Sequence, residues 1–193
     1  MLSFSKKIRL SNITLQDRVF SPYLYQAEIA QRTDSLAQAL TEVYAQQNPL
    51  LLVVLKGAFR FAADLVARLD FPLDIEFIRL ASYESTQSSG QIRTVLGLDD
   101  KYLLEGRPVL IVEDIVDTGL TLDFLYGQLQ AKQVYQLATV SLLFKPDNFR
   151  GKHPPAYFGF SIPPSFVVGY GLDYQGQGRQ LNDIFREKLT AEV

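Results

Sequence analysis

The segment Val109-Leu110-Ile111-Val112-Glu113-Asp114-Ile115-Val116-Asp117-Thr118-Gly119-Leu120-Thr121 does most to limit what this chain can fold into. Its four leading β-favouring apolar residues read as a strand buried on both faces. They run into three carboxylates, Glu113, Asp114 and Asp117, and then into a Thr-Gly-x-Thr turn that opens a helix. Strand, polar turn and helix in that order build an open parallel α/β sheet, in which ligands bind beyond the carboxyl ends of the strands. Thr118, Gly119, Leu120 and Thr121 bring backbone N–H groups and two hydroxyls to a helix N-terminus, a cradle for phosphate. The carboxylates do not suit that anion. They suit what is attached to it: sugar hydroxyls that donate hydrogen bonds, and a hard divalent cation that takes oxygen ligands.

Other readings of these residues fail on spacing or context. A P-loop needs Gly-Lys-Ser/Thr, and this turn holds no lysine. A phosphoaspartyl-transfer motif sets two aspartates two residues apart, whereas Asp114 and Asp117 are three apart. A plain strand followed by a solvated acidic turn does not account for the helix that follows in order.

The length of 193 residues with 47% hydrophobic content supports one substantial core and one domain. Acidic residues outnumber basic ones, 21 to 19, so there is no overall basic field for gripping nucleic acid. The chain has no cysteine, hence no thiolate nucleophile, disulfide or thiolate metal site. Met1 to Leu10 lacks the apolar stretch of a signal peptide, and the aliphatic run Leu50 to Leu55 is too short to span a bilayer. A cytoplasmic protein with no membrane partner is expected.

Residues 1 to 21 read as a short strand or extended arm. Ile29, Leu36, Ala37, Leu40, Val43 and Tyr44 recur at helical spacing between Tyr25 and Tyr44, which predicts an amphipathic helix. Asn48-Pro49 ends it, and Leu50 to Leu55 is a buried strand that delivers Lys56-Gly57 to its carboxyl end, before a helix from Phe59 to Leu69. Glycine there permits close backbone approach and the lysine brings charge, so this junction suits a second anion site when taken with the Glu113 loop; alone it reads as an ordinary strand end with a solvated lysine. Pro72 to Ser82 and Ile92 to Leu98 read as partnered strands around the polar segment 82 to 91, which suits a lid over the reacting centre. Val134 to Phe144 is the next strand and ends at Lys145. The lone His153 sits in a loop without a cluster of metal-ligating residues and reads as surface. Tyr157 to Ile162 and Ser165 to Tyr170 read as short strands about Pro163-Pro164.

Val109 to Thr121 resembles the phosphoribosyl pyrophosphate (PRPP) signature of the type I phosphoribosyltransferases, and its Glu113 to Gly119 form resembles the hypoxanthine-guanine branch. Further matches are Leu55-Lys56-Gly57, Ser82-Tyr83, Phe166-Val167 through Asp173-Tyr174, and Arg179, so the resemblance spans about residues 50 to 183. It implies a central, mostly parallel sheet flanked by helices, with a small C-terminal hood lobe. The whole of residues 1–193 is then one domain, its core about 22–150 and its hood made of the N-terminal arm and about 151–183.

By the same resemblance, PRPP or nucleotide is bound by Lys56, Gly57, Ser82, Tyr83, Glu113, Asp114, Thr118, Gly119, Leu120, Thr121 and Arg179, with a non-proline cis peptide at Leu55-Lys56. The purine is bound by Lys145 at its O6, by Phe166 stacking, by the Val167 backbone and by Asp173; Asp117 is the general base. Asp173, Glu113 and Asp114 hold Mg²⁺. The partners implied are PRPP and a 6-oxopurine, in a homodimer or homotetramer. Two positions depart from relatives that carry lysine: Ala81 before the Ser-Tyr pair, and Leu120 in the phosphate turn, where binding then leans on backbone amides. The alternatives are a xanthine-preferring or other PRPP-dependent transferase, and a PRPP-sensing regulator that binds nucleic acid.

Overall fold

Two uninterrupted apolar runs set the architecture, because a strand without polar alternation must be covered on both faces. The computed structural model describes residues 11–82, 92–96 and 104–188. The chain opens with strands β1 (Ile13–Leu15) and β2 (Arg18–Leu24), helix α1 (Gln26–Tyr44), strand β3 (Leu50–Leu55) and helix α2 (Phe59–Val66). Strands β4 (Asp74–Ser82), β5 (Ile92–Leu96) and β6 (Pro108–Val116) follow, then helix α3 (Leu120–Gln130). The remaining strands are β7 (Gln136–Phe144), β8 (Tyr157–Ser161), β9 (Val167–Val168) and β10 (Ile184–Glu187).

The large sheet has the order β5-β4-β3-β6-β7-β8. Only the β4–β5 pairing is antiparallel; β3, β4, β6, β7 and β8 run parallel. From β3 the chain winds outward to β4, and from β6 it winds the other way to β7 and β8, so the order reverses between β3 and β6. That is the crevice in which an open α/β sheet binds ligands.

Alternate residues of the two central strands separate into two cores. Leu51, Val53, Leu110 and Val112 pack with α1 and α2 residues such as Leu40, Phe61 and Leu65. Leu50, Leu52, Val109 and Ile111 pack with Leu122, Leu125 and Leu129 of α3. Each fully buried aliphatic side chain contributes about 1.5–3 kcal/mol, so both faces of β3 and β6 are held firmly. The carboxyl ends of β3, β6 and β7, which carry the polar junctions, are thereby fixed relative to one another.

The second sheet is antiparallel, in the order β1-β2-β10-β9, around Phe20, Val168 and Phe185. Arg60 of α2 ties it to the large sheet's layer by donating from Nη1 to the Leu181 carbonyl (2.8 Å) and from Nη2 to Asn182 Oδ1 (2.5 Å). Asp183 adds a second tie by accepting the Gln26 N–H at the start of α1 (2.8 Å).

Several sequence expectations are revised. The N-terminal arm is a hairpin, closed where Gln16 adopts φ 52°. Val43 is exposed and Thr33 is buried on the inner stripe of α1, its hydroxyl donating to the Ile29 carbonyl. Strand β6 runs on through the acidic residues, because Glu113, Ile115 and Val116 pair with Ser141, Leu143 and Phe144. Tyr157–Ser161 pairs with β7 and so belongs to the large sheet, while Ile184–Glu187, beyond the expected hood boundary, joins the small one. The strand expected over Ser165 to Tyr170 shrinks to two residues, since Gly169, Tyr170 and Gly171 all take positive φ (101°, 50° and 103°) and break the ladder. His153 is half-buried and stacks on Tyr126, centroids 4.1 Å apart.

Candidate active site

Strand β6 ends in a crest that its neighbours fill from both sides. Glu113 is buried, and burial followed by repulsion from Asp114 holds its carboxyl well above the usual carboxylate range. Burial also pushes Asp114 up to about 6, against the pull of the Ile115 N–H, which donates to Oδ1 (2.9 Å), and of the nearby Arg179 charge. Both carboxyls bind a proton more readily in the folded chain than in the unfolded one. The contribution of Asp114 to stability is therefore fully present below about pH 4 and is lost as pH rises through about 6, and that of Glu113 is lost as pH rises beyond the usual carboxylate range. Asp114→Asn removes one charge of the pair. It is expected to raise Tm by about 4–8 °C at pH 7.5 without divalent cations, and by about a third as much at pH 4.5. Calorimetry at the two pH values checks this, and equal shifts would contradict it.

From the β3 side, Gly57 presses directly on the crest. A Cβ on Gly57 would lie 1.5 Å from Asp114 Oδ2, so only glycine leaves room for the carboxylate. The Leu55–Lys56 peptide preceding it is cis. Lys56 is exposed. From the small-sheet side, Gly171 packs on the same turn, with φ 103° and with a hypothetical Cβ only 2.2 Å from the Gly57 carbonyl oxygen. Arg179 then joins the segment together: Nη1 donates to the Gly171 carbonyl (2.7 Å) and Nη2 pairs with Asp173 Oδ1 (2.5 Å). The other Asp173 oxygen accepts the Gly176 N–H (2.7 Å). Lys56-Gly57, Glu113-Asp114 and Gly171-Asp173-Arg179 are thus one cluster.

The turn from Thr118 to Thr121 opens a helix as the sequence predicted. Gly119 is the N-cap of α3 in the left-handed region (φ 87°), and no side chain caps the helix. The first-turn N–H groups are therefore directed outward. Gly119 is also required by space, since a Cβ would lie 2.4 Å from the Phe149 ring. Asp123, the acidic residue of that first turn, is occupied by the Lys152 N–H (2.8 and 3.1 Å). Leu120 is exposed and Thr118 lies beside it at the surface.

Between the turn and the crest stands Asp117, and the structure brings it together with Lys145. Lys145 is buried, and its Nζ lies 2.7 Å from Asp117 Oδ2. A buried ammonium without a partner would be costly, so this pair positions both groups. Asn148 donates from Nδ2 to the other oxygen, Asp117 Oδ1 (2.9 Å). Asn148 carried no sequence signal, because it lies in an irregular loop where neither periodicity nor a motif singles it out.

Phe166 sits in an aromatic group on the small sheet, 6.3 Å from Phe20 and 5.7 Å from Tyr174, with the Arg18 guanidinium over its ring at 5.6 Å. It keeps 40% exposure, leaving ring surface for a further stacking partner. Val167 lies opposite Arg186 on the edge strand β9, and the Glu187 N–H donates to the Phe166 carbonyl (2.9 Å). By the alternation of an antiparallel ladder, the Val167 N–H and C=O then point away from β10, toward the open edge. A cavity of about 500 Å³ beside Phe166 is lined by Arg186, Glu187 and Lys188 and by no residue of the acidic crest. Ser82 ends β4, while Tyr83 and the rest of the expected lid lie outside the described residues.

Comparison with known proteins agrees with this geometry. The model of the phosphoribosyl transferase domain matches residues 23–175. The chain belongs to the phosphoribosyltransferase family. It is 40% identical over 155 residues to the hypoxanthine-guanine phosphoribosyltransferase of Bacillus subtilis, covering 80% of this chain and 85% of that one. Among solved structures, a hypoxanthine phosphoribosyltransferase from Staphylococcus aureus superposes with a TM-score of 0.81 at 36% identity, over 87% of this chain and 91% of that one. A variant of the Trypanosoma cruzi enzyme in a ternary complex with substrates gives 0.78 at 40% identity, over 86% and 94%. The α/β sheet with its crest is the phosphoribosyltransferase fold, and the antiparallel sheet of β1, β2, β9 and β10 is a separate sheet beside it.

Proposed function

We propose that this phosphoribosyltransferase moves the 5-phosphoribosyl group of PRPP to N9 of hypoxanthine or guanine, giving IMP or GMP and pyrophosphate. The observation that carries the proposal is the pairing of the buried Lys145 with the half-exposed Asp117, standing between an uncapped helix N-terminus and an acidic crest.

Each residue has a task that its chemistry fits. The outward amides of Thr118 to Thr121 take the 5′-phosphate, with Leu120 contributing its backbone alone. Glu113 and Asp114 accept hydrogen bonds from the ribose 2′- and 3′-hydroxyls, and their negative charge stabilises the oxocarbenium character at the anomeric carbon. Lys56, Gly57 and Arg179 face the pyrophosphate, and Ser82 and Tyr83 are assigned to the same cosubstrate. Lys145 donates to the purine O6; an ammonium has three donors and no acceptor, so it favours a 6-oxo group over a 6-amino group. Phe166 stacks on the ring, the outward Val167 N–H and C=O meet its edge, and Asp173 borders it. Asp117 takes the imidazole proton as N9 bonds to C1′ and the C1′–O bond to pyrophosphate breaks.

The residues present also fit Mg²⁺. Glu113, Asp114 and Asp173 are hard oxygen donors, and the raised Glu113-Asp114 pair is a site where a cation would relieve repulsion. Among the described residues no three acidic or imidazole groups converge as a ready cage. This suits an ion that keeps several waters and binds through one or two carboxylates together with substrate phosphates. When bound, Mg²⁺ neutralises charge on the departing pyrophosphate.

A homodimer or homotetramer belongs to the same reading. It is supported by an exposed apolar face around Phe59, Ile75 and Phe77, which borders a cavity of about 240 Å³. Phe77→Glu is expected to lower the mass measured by sedimentation, and an unchanged mass would remove that face as the interface. A cytoplasmic location is part of the reading too; among the described residues no helix is long and apolar enough to cross a membrane.

The test of the activity supplies PRPP and Mg²⁺ with hypoxanthine, guanine, xanthine and adenine in parallel and follows nucleotide formation. Hypoxanthine and guanine are expected to exceed adenine in kcat/KM by about 10⁴-fold, as for a site built around a hydrogen bond to the distinguishing group. Turnover of adenine alone would overturn the role given to Lys145.

A further inference from the structure

We propose that Asn148 is a positioning residue for the phosphoribosyl transfer, anchoring one oxygen of Asp117 so that the other is presented to the purine proton. The inference rests on the reading of Asp117 as the general base. In the structure the two carboxylate oxygens are divided between two donors of different character. Lys145 Nζ lies 2.7 Å from Oδ2, and Asn148 Nδ2 lies 2.9 Å from Oδ1. A carboxylate only accepts, so the amide must present its NH₂ end.

The two donors part when the base arrives. A 6-oxopurine draws the Lys145 ammonium to its O6, which frees Oδ2 to accept the imidazole proton. A carboxylate relieved of its only partner would swing about its terminal torsion, which is soft. The neutral amide of Asn148 has no task at the purine and stays on Oδ1. Its own loop is held on both sides of Asp117: the Lys145 N–H donates to the Val116 carbonyl (2.9 Å) and the Arg150 N–H to the Thr118 carbonyl (3.0 Å). Lys152 adds a third stitch, to Asp123 (2.8 Å). Asn148 therefore reaches Asp117 from a segment pinned to the residues flanking it, which is how a supporting group keeps a reacting one in place.

The test measures kcat and KM for hypoxanthine and PRPP in Asn148→Ala, Asn148→Ser, Asp117→Asn and the Asp117→Asn/Asn148→Ala double variant. Asn148→Ala is expected to lower kcat about tenfold with both KM values within about twofold, and Asn148→Ser, which restores a donor, to recover part of the loss. In the Asp117→Asn background the Asn148→Ala change is expected to cost nothing further, because the group it positions is already gone. An Asn148→Ala kcat equal to wild type, or an equal loss with and without Asp117, overturns the inference while leaving Asp117 as the base. Wild-type turnover by Asp117→Asn overturns the reading of Asp117 and this inference with it. Should Asn148→Ala fail to fold, Asn148→Ser alone decides: a kcat at or below one half of wild type with unchanged KM supports the anchor, and any other pattern sinks it.

Discussion

Asp117→Asn is expected to lower kcat by about 10²–10⁴ while leaving the affinity for PRPP within a few-fold of wild type. The substitution keeps the shape of the side chain, and its amide oxygen still accepts from a neighbour. It cannot take a proton from the purine. The turn and the crest proposed to hold PRPP are built from other residues, Thr118 to Thr121 and Glu113-Asp114, and the oxygens of Asp117 are engaged by Lys145 and Asn148 instead. PRPP binding followed by titration calorimetry, beside steady-state rates, separates the two effects. A kcat within tenfold of wild type would remove Asp117 as the base; a lost PRPP affinity would show that it holds the cosubstrate.

Gly57→Ala is expected to cost about 10²-fold in kcat/KM for PRPP, through a methyl group directed at Asp114. A Cβ at this position would lie 1.5 Å from Asp114 Oδ2, well inside any contact distance. Either Asp114 turns away from the ribose or the Lys56-Gly57 turn backs off from the crest. The Gly57 carbonyl also packs against Gly171, whose own carbonyl receives Arg179, so a shift of the turn spreads to the Asp173-Arg179 pair. Because the damage is one of placement, stability is expected to fall by no more than about 1–3 kcal/mol. Wild-type kcat/KM in Gly57→Ala would show that the turn and the crest do not have to meet.

What was readable in the sequence is what local chemistry dictates. Leu50 to Leu55 and Val109 to Val112 carry no polar residue, so they had to be two-faced strands, and each delivers a polar junction to one edge of the sheet. The Thr-Gly-x-Thr turn had to use glycine where φ is positive and the Phe149 ring leaves no room. Long-range partnerships were not readable. Nothing in Lys145-Pro146-Asp147-Asn148 says that Asn148 turns back onto Asp117, 31 residues earlier. The small sheet was legible only in part. Its strands come from both ends of the chain, and the ladder over Ser165 to Tyr170 is broken by three residues in left-handed conformation, one of them Tyr170. Tyr170 accepts that conformation where its ring lies against the Arg60 guanidinium and its hydroxyl donates to Asp64, contacts made only once α2 is in place.

The most direct measurement is a crystal structure with bound IMP or GMP. The 5′-phosphate is expected over the amides of Thr118, Gly119, Leu120 and Thr121, the ribose hydroxyls within hydrogen-bond distance of Glu113 and Asp114, and the purine O6 on Lys145, now released from Asp117. A nucleotide found with its phosphate elsewhere would contradict the assignment of this crest as the sugar-phosphate site, and Lys145 still paired to Asp117 beneath an unbound base would contradict its role at O6.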